Sequence, residues 1–250
     1  MKDIKEFIKE LNITTPAENE FLELSKKYPI ISELSDYENT INYERGILLY
    51  SLVAKYKFKN ILEIGTAGGY SAMCMAKALH DNNIDGKIYT VDPVKSNIHD
   101  EKIKVLTGYF SEVKKLIPKC DFAFIDGGHN YNDVKNDFFS FIEIAKQQYA
   151  ILFDDYVVGE KSHVKQAVDE LIVPHLNYEL FRTQIKKHYE SLNKETDFDY
   201  LMCWVYDNKS LELLYPKRDE FIKKYNNNKK IQKMRKKIPI LKNHRIKFWN

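Results

Sequence analysis

Apolar residues follow two different periods along the chain, and the change falls near residue 58. In residues 1–57 the apolar positions recur mainly with the 3.6-residue period of a helix, first at Ile4, Phe7, Ile8 and Leu11. Short runs of consecutive apolar residues then appear, each followed by a loop and a helical pattern; they lie at 60–64, 87–91, 103–106, 122–125 and 149–153. Runs of this kind predict strands that are buried on both faces of a parallel sheet.

Two later runs, 178–181 and 200–206, lack a helical pattern between them and predict an antiparallel pair at the sheet edge. The chain is therefore predicted to be a doubly wound α/β protein with about seven strands, mostly parallel. We expect three parts: an N-terminal helical cap at 1–57, the α/β domain at 58–216 and a C-terminal extension at 217–250.

Composition restricts the class of protein further. The 250 residues contain 30% charged and 44% hydrophobic residues, which excludes fibrous and largely disordered chains. No apolar stretch approaches the roughly 20 residues that cross a bilayer, and we expect neither a membrane span nor secretion. Cys74, Cys120 and Cys203 are widely separated, which favours a reducing, cytoplasmic location.

Charge is unevenly distributed between the body and the C-terminal extension. Residues 217–250 hold 13 Lys and Arg against 2 Asp and Glu, a net charge of +11, whereas residues 1–216 carry −8. The extension could contact phosphates or an anionic surface, or it could be a solvated, partly helical segment. Its apolar residues recur at helical spacing, which suggests docking on the body or on a second copy in a homo-oligomer.

Glycines and acids end the predicted strands, where open α/β sheets bind their ligands. Gly65, Gly68 and Gly69 follow the first strand and let backbone approach a ligand, while Ser71 could begin the next helix. Asp92 closes the second strand and could accept hydrogen bonds from both hydroxyls of a ribose. The pattern indicates a nucleotide-type loop.

Three further acids, Asp126, Asp154 and Asp155, end two other strands. Carboxylates that converge in a partly dry cleft repel one another unless a cation is present, and oxygen-only ligands suit Mg²⁺ or another divalent cation. The alternative is structural: Asp154 or Asp155 would cap a helix, and Asp126 would form a salt bridge.

These segments, EIGTAGG with Asp92, LTGYFSEV, FIDGGHNYNDVKNDF and LFDDY, resemble the class I S-adenosylmethionine-dependent O-methyltransferases. The resemblance covers roughly residues 40–207 and favours the small-molecule and sugar branch, with the catechol type more distant. Two positions depart from the usual pattern: Gly128 replaces a common Asp, and Gln147-Gln148 replaces Gly-Gly.

The resemblance implies a Rossmann-like catalytic domain at 58–216 that binds S-adenosylmethionine. Residues around the methionine part and the ribose would be Glu63, Gly65, Thr66, Ala67, Gly69, Ser71 and Asp92. The adenine would lie against Gly108, Tyr109 and Phe110. Asp126, Asp154 and Asp155 would hold the metal.

Methyl transfer from a sulfonium requires an acceptor oxygen placed behind the methyl carbon and a group that removes its proton. We expect the metal to hold the acceptor, with His129 as general base and Asp126 beside it; alternatively, His129 only shapes its loop. The expected acceptor is a hydroxyl of a small polar molecule, with a sugar or sugar derivative favoured.

Parts of the sequence are also compatible with two other functions. A nicotinamide-dependent oxidoreductase would need G-x-G-x-x-G, and the run from Gly65 to Tyr70 lacks glycine at the third and sixth positions. An RNA methyltransferase could use the basic extension as an arm, but the acidic body opposes nucleic-acid binding.

Overall fold

The computed structural model describes residues 1–28, 38–158, 163–171, 176–182 and 199–206. All of them belong to one compact unit, Met1–Asn208. The 217–250 extension, the polar segment between the last two strands, and His175, His188 and His244 lie outside these ranges. Within the described ranges, no helix combines the length and hydrophobicity that a bilayer crossing requires.

Within the described residues, eight strands form a single sheet in the order β1-β7-β8-β6-β5-β2-β3-β4. Their bounds are β1 Lys2–Asp3, β2 Asn60–Ile64, β3 Lys87–Asp92, β4 Ile103–Thr107, β5 Cys120–Ile125, β6 Ala145–Val158, β7 Tyr178–Arg182 and β8 Asp199–Tyr206. All neighbouring pairs are parallel except β6 with β8 and β7 with β8. This confirms the mostly parallel, doubly wound fold with antiparallel pairing toward one edge.

The helices lie between these strands and in the N-terminal part of the chain. Their bounds are α1 Ile4–Glu10, α2 Glu18–Lys27, α3 Glu38–Tyr56, α4 Tyr70–Asp81, α5 Phe110–Val113, α6 Tyr131–Ile144 and α7 His163–Leu171. Asp3 begins α1 by accepting hydrogen bonds from two backbone N–H groups through its carboxylate. Leu48, Leu49, Leu52 and Val53 of α3 are fully buried, so this helix is part of the core.

Two details differ from the sequence-based expectation. The sheet has eight strands rather than seven, because Lys2 and Asp3 pair in parallel with Phe181 and Arg182 at the end of the sheet. The strand that was expected at 149–153 begins at Ala145, directly after α6. Its pairing with β5 shifts between Cys120 and Phe122, so Gln147-Gln148 lies within an irregularity rather than a glycine turn.

The sheet reverses its order at β2, which pairs with β3 on one side and with β5 on the other. In open α/β sheets a ligand crevice forms at such a point, outside the carboxyl ends of the strands. The loops that follow β2, β3 and β5, together with the carboxyl half of β6, therefore enclose the candidate site.

Candidate active site

The loop after β2 passes very close to the loop after β5. Gly65 has φ +97°, and a Cβ atom built there would lie 2.0 Å from the carbonyl oxygen of Asp126. Gly69 has φ +89° and is the residue from which α4 begins, one position before Tyr70. Only glycine combines this backbone conformation with such an approach, so both glycines shape the loop.

Asp92 holds this loop from the end of β3. Its Oδ2 atom accepts hydrogen bonds from the backbone N–H groups of Thr66 at 2.9 Å and Ala67 at 3.1 Å. Its Oδ1 atom accepts one from Val94 N at 2.7 Å. Each carboxylate oxygen can accept more than one hydrogen bond, so the same side chain can still accept from a ligand hydroxyl.

A cavity of about 530 Å³ lies between the ends of β2, β3 and β5. Asp92, Gly108, Tyr109 and Phe110, the residues that the resemblance assigns to ribose and adenine, all line it. Phe110 is buried, whereas Tyr109 is 64% exposed at the cavity wall. The volume is within the usual range for small-molecule sites.

A second cavity of about 270 Å³ lies against the loop that follows β2. Its walls include this loop, Ser71 and Arg45, together with the acidic residues Asp126 and Asp155. The two cavities share Gly65, Ala67 and Asp126 in their walls, and they therefore adjoin at the glycine loop. A ligand in the larger cavity would reach the acids through this shared boundary.

Glu63 is fully buried in β2 and lines neither cavity. Its Oε2 atom accepts a 2.5 Å hydrogen bond from Thr90 Oγ1, and Thr90 Oγ1 lies 2.6 Å from Thr66 Oγ1. Burial raises the pKa of Glu63 from 4.5 to about 7, although hydrogen bonding to Ser71 and Thr90 opposes the shift. Glu63 is thus connected to the glycine loop through two threonine hydroxyls.

A histidine, His129, lies beside the acidic residues Asp126 and Asp155. Asp126, His129 and Asp155 each offer a ligand atom, and these three atoms lie within 4.8 Å of one another. His129 Nε2 is 3.0 Å from Asp155 Oδ2 and 3.9 Å from Asp126 Oδ1. The carboxylate oxygens of Asp126 and Asp155 suit a divalent cation, whereas Asp154, the third predicted ligand, is not among these three residues.

Asp154 is buried and faces Arg45 of α3. Arg45 Nη1 is 3.0 Å from Asp154 Oδ2, and Asp154 Oδ1 accepts a hydrogen bond from Asp155 N at 2.9 Å. Asp155 has φ +54°, a conformation that aspartate tolerates better than most residues. Arg45 contacts both adjacent acids, and Asp155 also contacts His129.

Electrostatics at this end of the sheet disfavour negative charge. Burial, and then the neighbouring Asp154, raise the pKa of Asp126 well above its usual range. Burial raises the pKa of Asp154 from 3.8 to about 6, with Arg45 opposing the shift. Burial is the larger cause of both shifts, so the charged forms of these two carboxyl groups are disfavoured unless a cation is bound.

The structure brings most of the predicted residues to the two cavities. Gly65, Thr66, Ala67, Gly69, Ser71, Asp92, Gly108, Tyr109, Phe110, Asp126, His129 and Asp155 all line a cavity. Glu63 and Asp154 lie behind the walls. The suggested helix-capping role of Asp154 or Asp155 is not observed, because both residues lie inside β6.

Sequence analysis missed a second acidic pair on α6. Asp133 and Asp137 both line the larger cavity. Burial, and then the charge of Asp133, raise the pKa of Asp137 to about 7. Their four-residue spacing in the sequence is the signal that the two carboxylates share a helix face.

The fold and the two adjoining cavities define a doubly wound domain with a ligand site where the strand order reverses. Residues 62–156 match the family model described as a methyltransferase domain. The match includes the glycine loop, Asp92 and the acids of β5 and β6. It confirms the resemblance to the class I methyltransferases and the interpretation of the protein as an enzyme.

Two solved structures share the fold. Rv0187 from MTB, solved with its cofactor bound, is 16% identical; the alignment covers 81% of this chain and 95% of that chain, with a TM-score of 0.51. The O-methyltransferase TomG from Streptomyces achromogenes, solved in complex with SAM, is 15% identical; the alignment covers 82% of this chain and 99% of that chain, with a TM-score of 0.50. No curated protein matches the sequence significantly.

Proposed function

We propose that this protein transfers a methyl group from S-adenosylmethionine to a hydroxyl of a small polar molecule, with a divalent cation holding the acceptor. The observation that carries the proposal is the shared boundary of the two cavities. A donor in the larger cavity would meet an acceptor in the smaller one at Gly65, Ala67 and Asp126. Transfer between two bound molecules requires such an arrangement.

The larger cavity suits the nucleoside part of the cofactor. Asp92 would accept hydrogen bonds from the ribose, and Tyr109 and Phe110 would contact the adenine, as aromatic side chains do with flat bases. Gly65, Thr66, Ala67, Gly69 and Ser71 would surround the methionine part, where backbone N–H groups at the start of α4 suit a carboxylate. When bound, S-adenosylmethionine supplies the electrophilic methyl group.

We assign Asp126, Asp154 and Asp155 to the metal, with Mg²⁺ as the first choice. When bound, the cation polarises the acceptor oxygen and lowers its proton affinity. Asp126 and Asp155 already face the smaller cavity. Asp154 would have to rearrange, because its Oδ2 atom contacts Arg45 at 3.0 Å.

We assign the role of general base to His129. Its side chain is 61% exposed, so an acceptor can reach it, and its Nε2 atom lies 3.0 Å from Asp155 Oδ2. The imidazole would take the hydroxyl proton as the oxygen attacks, and the nearby Asp155 and Asp126 would stabilise the imidazolium that results. Proximity and proton transfer together account for the expected rate enhancement.

Several features favour a small polar acceptor. The smaller cavity is about 270 Å³ in volume, and Arg45, Thr66, Ser71 and His129 contribute polar groups to its walls. A sugar or sugar derivative offers adjacent hydroxyls that one cation can hold together, and we favour it for that reason. The cytoplasm is the proposed location, because the three cysteines are buried free thiols.

Calorimetric titration of the full chain with S-adenosylhomocysteine and, separately, with NADH tests the cofactor. We expect S-adenosylhomocysteine to bind and NADH not to bind; the reverse result would eliminate the proposal. Methyl transfer to a panel of sugars and nucleotide sugars, with EDTA and with added Mg²⁺, then tests the metal. Full activity in EDTA would remove the metal from the mechanism.

A further inference from the structure

Arg45 reaches from α3 to the acidic residues of β6. Its Nη1 atom is 3.0 Å from Asp154 Oδ2, and its Nη2 atom is 3.7 Å from Asp155 Oδ1. The side chains of Arg45 and Asp154 are 16% and 2% exposed. Because little solvent reaches these groups, their attraction is weakly screened and the guanidinium neutralises much of the acid charge.

Both oxygens of Asp155 are contacted by side chains of this chain. Arg45 approaches Oδ1 at 3.7 Å, and His129 approaches Oδ2 at 3.0 Å. A divalent cation bound to Asp154 or Asp155 would therefore have a guanidinium as its neighbour. Two positive charges that share one carboxylate group as a partner repel each other.

The backbone of α3 is fixed tightly at this point. A Cβ atom at Gly46, the next residue, would lie 2.1 Å from the hydroxyl oxygen of Tyr70 and 2.9 Å from Cys74 Sγ. The helix consequently packs on α4 without space between them, and packed interiors resist such shifts. A change in the partners of Arg45 must come from rotation of its long side chain.

We propose that Arg45 and the divalent cation compete for the carboxylates of Asp154 and Asp155, so that Arg45 sets the metal affinity of the site. The inference rests on the metal role in the proposed function. In the metal-free protein Arg45 stabilises two adjacent acids that would otherwise repel each other. Metal binding must weaken that ion pair, which lowers the affinity and keeps the cation exchangeable.

The test measures binding of Mn²⁺ to the full chain by calorimetry, and by the electron paramagnetic resonance signal of free Mn²⁺. Arg45→Gln removes the competing charge and keeps a polar side chain, and we expect the Mn²⁺ affinity to rise about tenfold. Arg45→Lys retains the charge and should remain close to the wild type. Lys146→Gln is the matched control, because it removes a cation that pairs with Asp121 at 2.8 Å, and it should leave the affinity unchanged.

Thermal unfolding provides a second measurement that does not depend on activity. Without metal, Arg45→Gln should unfold at a lower temperature than the wild type, since it leaves Asp154 buried without its partner. Saturating Mn²⁺ should reduce that difference. Equal or weaker Mn²⁺ binding by Arg45→Gln would show that Arg45 supports the site rather than competing for it, and would overturn the inference.

The two proposals fail in different ways. If the wild type binds Mn²⁺ and Arg45→Gln binds it no better, the inference is wrong while the metal role in the proposed function stands. If neither protein binds Mn²⁺, the metal role itself is wrong and the inference is lost with it. If Arg45→Gln binds Mn²⁺ and the wild type does not, the result supports the inference most strongly.

Discussion

The hydroxyl group of Thr90 donates a 2.5 Å hydrogen bond to the buried carboxyl group of Glu63. Thr90 also lies 2.6 Å from the hydroxyl of Thr66, the second residue after β2. A core carboxyl group is thereby joined to the loop that we assign to the cofactor. Disturbing this connection should affect both the stability of the fold and the affinity for the cofactor.

Replacing Thr90 with Val tests the connection, because Val has nearly the same shape but no hydroxyl. The variant leaves the carboxyl group of Glu63 without this donor inside the protein, and we expect it to lose about 1–3 kcal/mol of stability. Affinity for S-adenosylhomocysteine should also fall. Urea unfolding and calorimetry measure the two effects. Thr107→Val, at an exposed position of β4, should change stability by less than about 0.5 kcal/mol.

Glu63 should make stability depend on pH. Its pKa is about 7 in the folded protein against an ordinary value of 4.5, so the folded state binds the proton more tightly. This stabilising contribution is complete below pH 4.5 and is lost as the pH rises through 7. A pKa difference of this size corresponds to about 3 kcal/mol.

Glu63→Gln removes that dependence, since Gln does not titrate. Relative to the wild type, the variant should therefore gain about 3 kcal/mol between pH 4.5 and pH 8, measured by urea unfolding at both pH values. Glu101→Gln, with a side chain that is 78% exposed, serves as the control and should follow the wild type. If the stability of Glu63→Gln depends on pH in the same way as that of the wild type, the raised pKa of Glu63 is not the cause of the dependence.

Asp92→Asn tests the acid at the end of β3. The carboxylate accepts three backbone hydrogen bonds, two of them from the glycine loop, and an amide has only one acceptor oxygen. We expect the Kd for S-adenosylhomocysteine to rise at least tenfold, a loss of about 1.4 kcal/mol. Asp85→Asn, at an exposed position before β3, should bind normally. If Asp92→Asn binds S-adenosylhomocysteine as tightly as the wild type, Asp92 does not contribute to cofactor binding.

His129→Gln tests the general base. The variant should lower kcat by about 10²–10⁴-fold, the usual contribution of a positioned base, with nearly unchanged affinity for S-adenosylhomocysteine. The matched control is His99→Gln, because His99 is exposed and lies in neither cavity wall. Retention of kcat would leave His129 with a structural role in its loop.

Local sequence patterns predicted much of the fold and the site. The runs at 60–64 and 122–125 are central strands that are buried on both faces, and such strands are continuously apolar. Gly65, Asp92 and Asp126 could be placed because strand ends in this architecture meet at one edge. These predictions depend on residues that lie next to each other in sequence or at equivalent positions in successive strands.

Other features depend on contacts between distant segments. Arg45 lies more than 100 residues from Asp154, and an arginine inside a helical pattern does not indicate which residue it will contact. The strand formed by Lys2 and Asp3 is too short and polar for any strand pattern, and it exists because β7 offers an unpaired edge. Only the folded structure brings such partners together.

The burial of the three cysteines has a practical consequence. Cys74, Cys120 and Cys203 are all inaccessible in the folded protein, and burial raises the pKa of each thiol, so they should react slowly with thiol-specific dyes. Val94 is 70% exposed and lies next to Pro93 of the larger cavity wall. A cysteine introduced there should therefore accept a fluorophore selectively, with the native thiols left in place, and its emission could report ligand binding in real time.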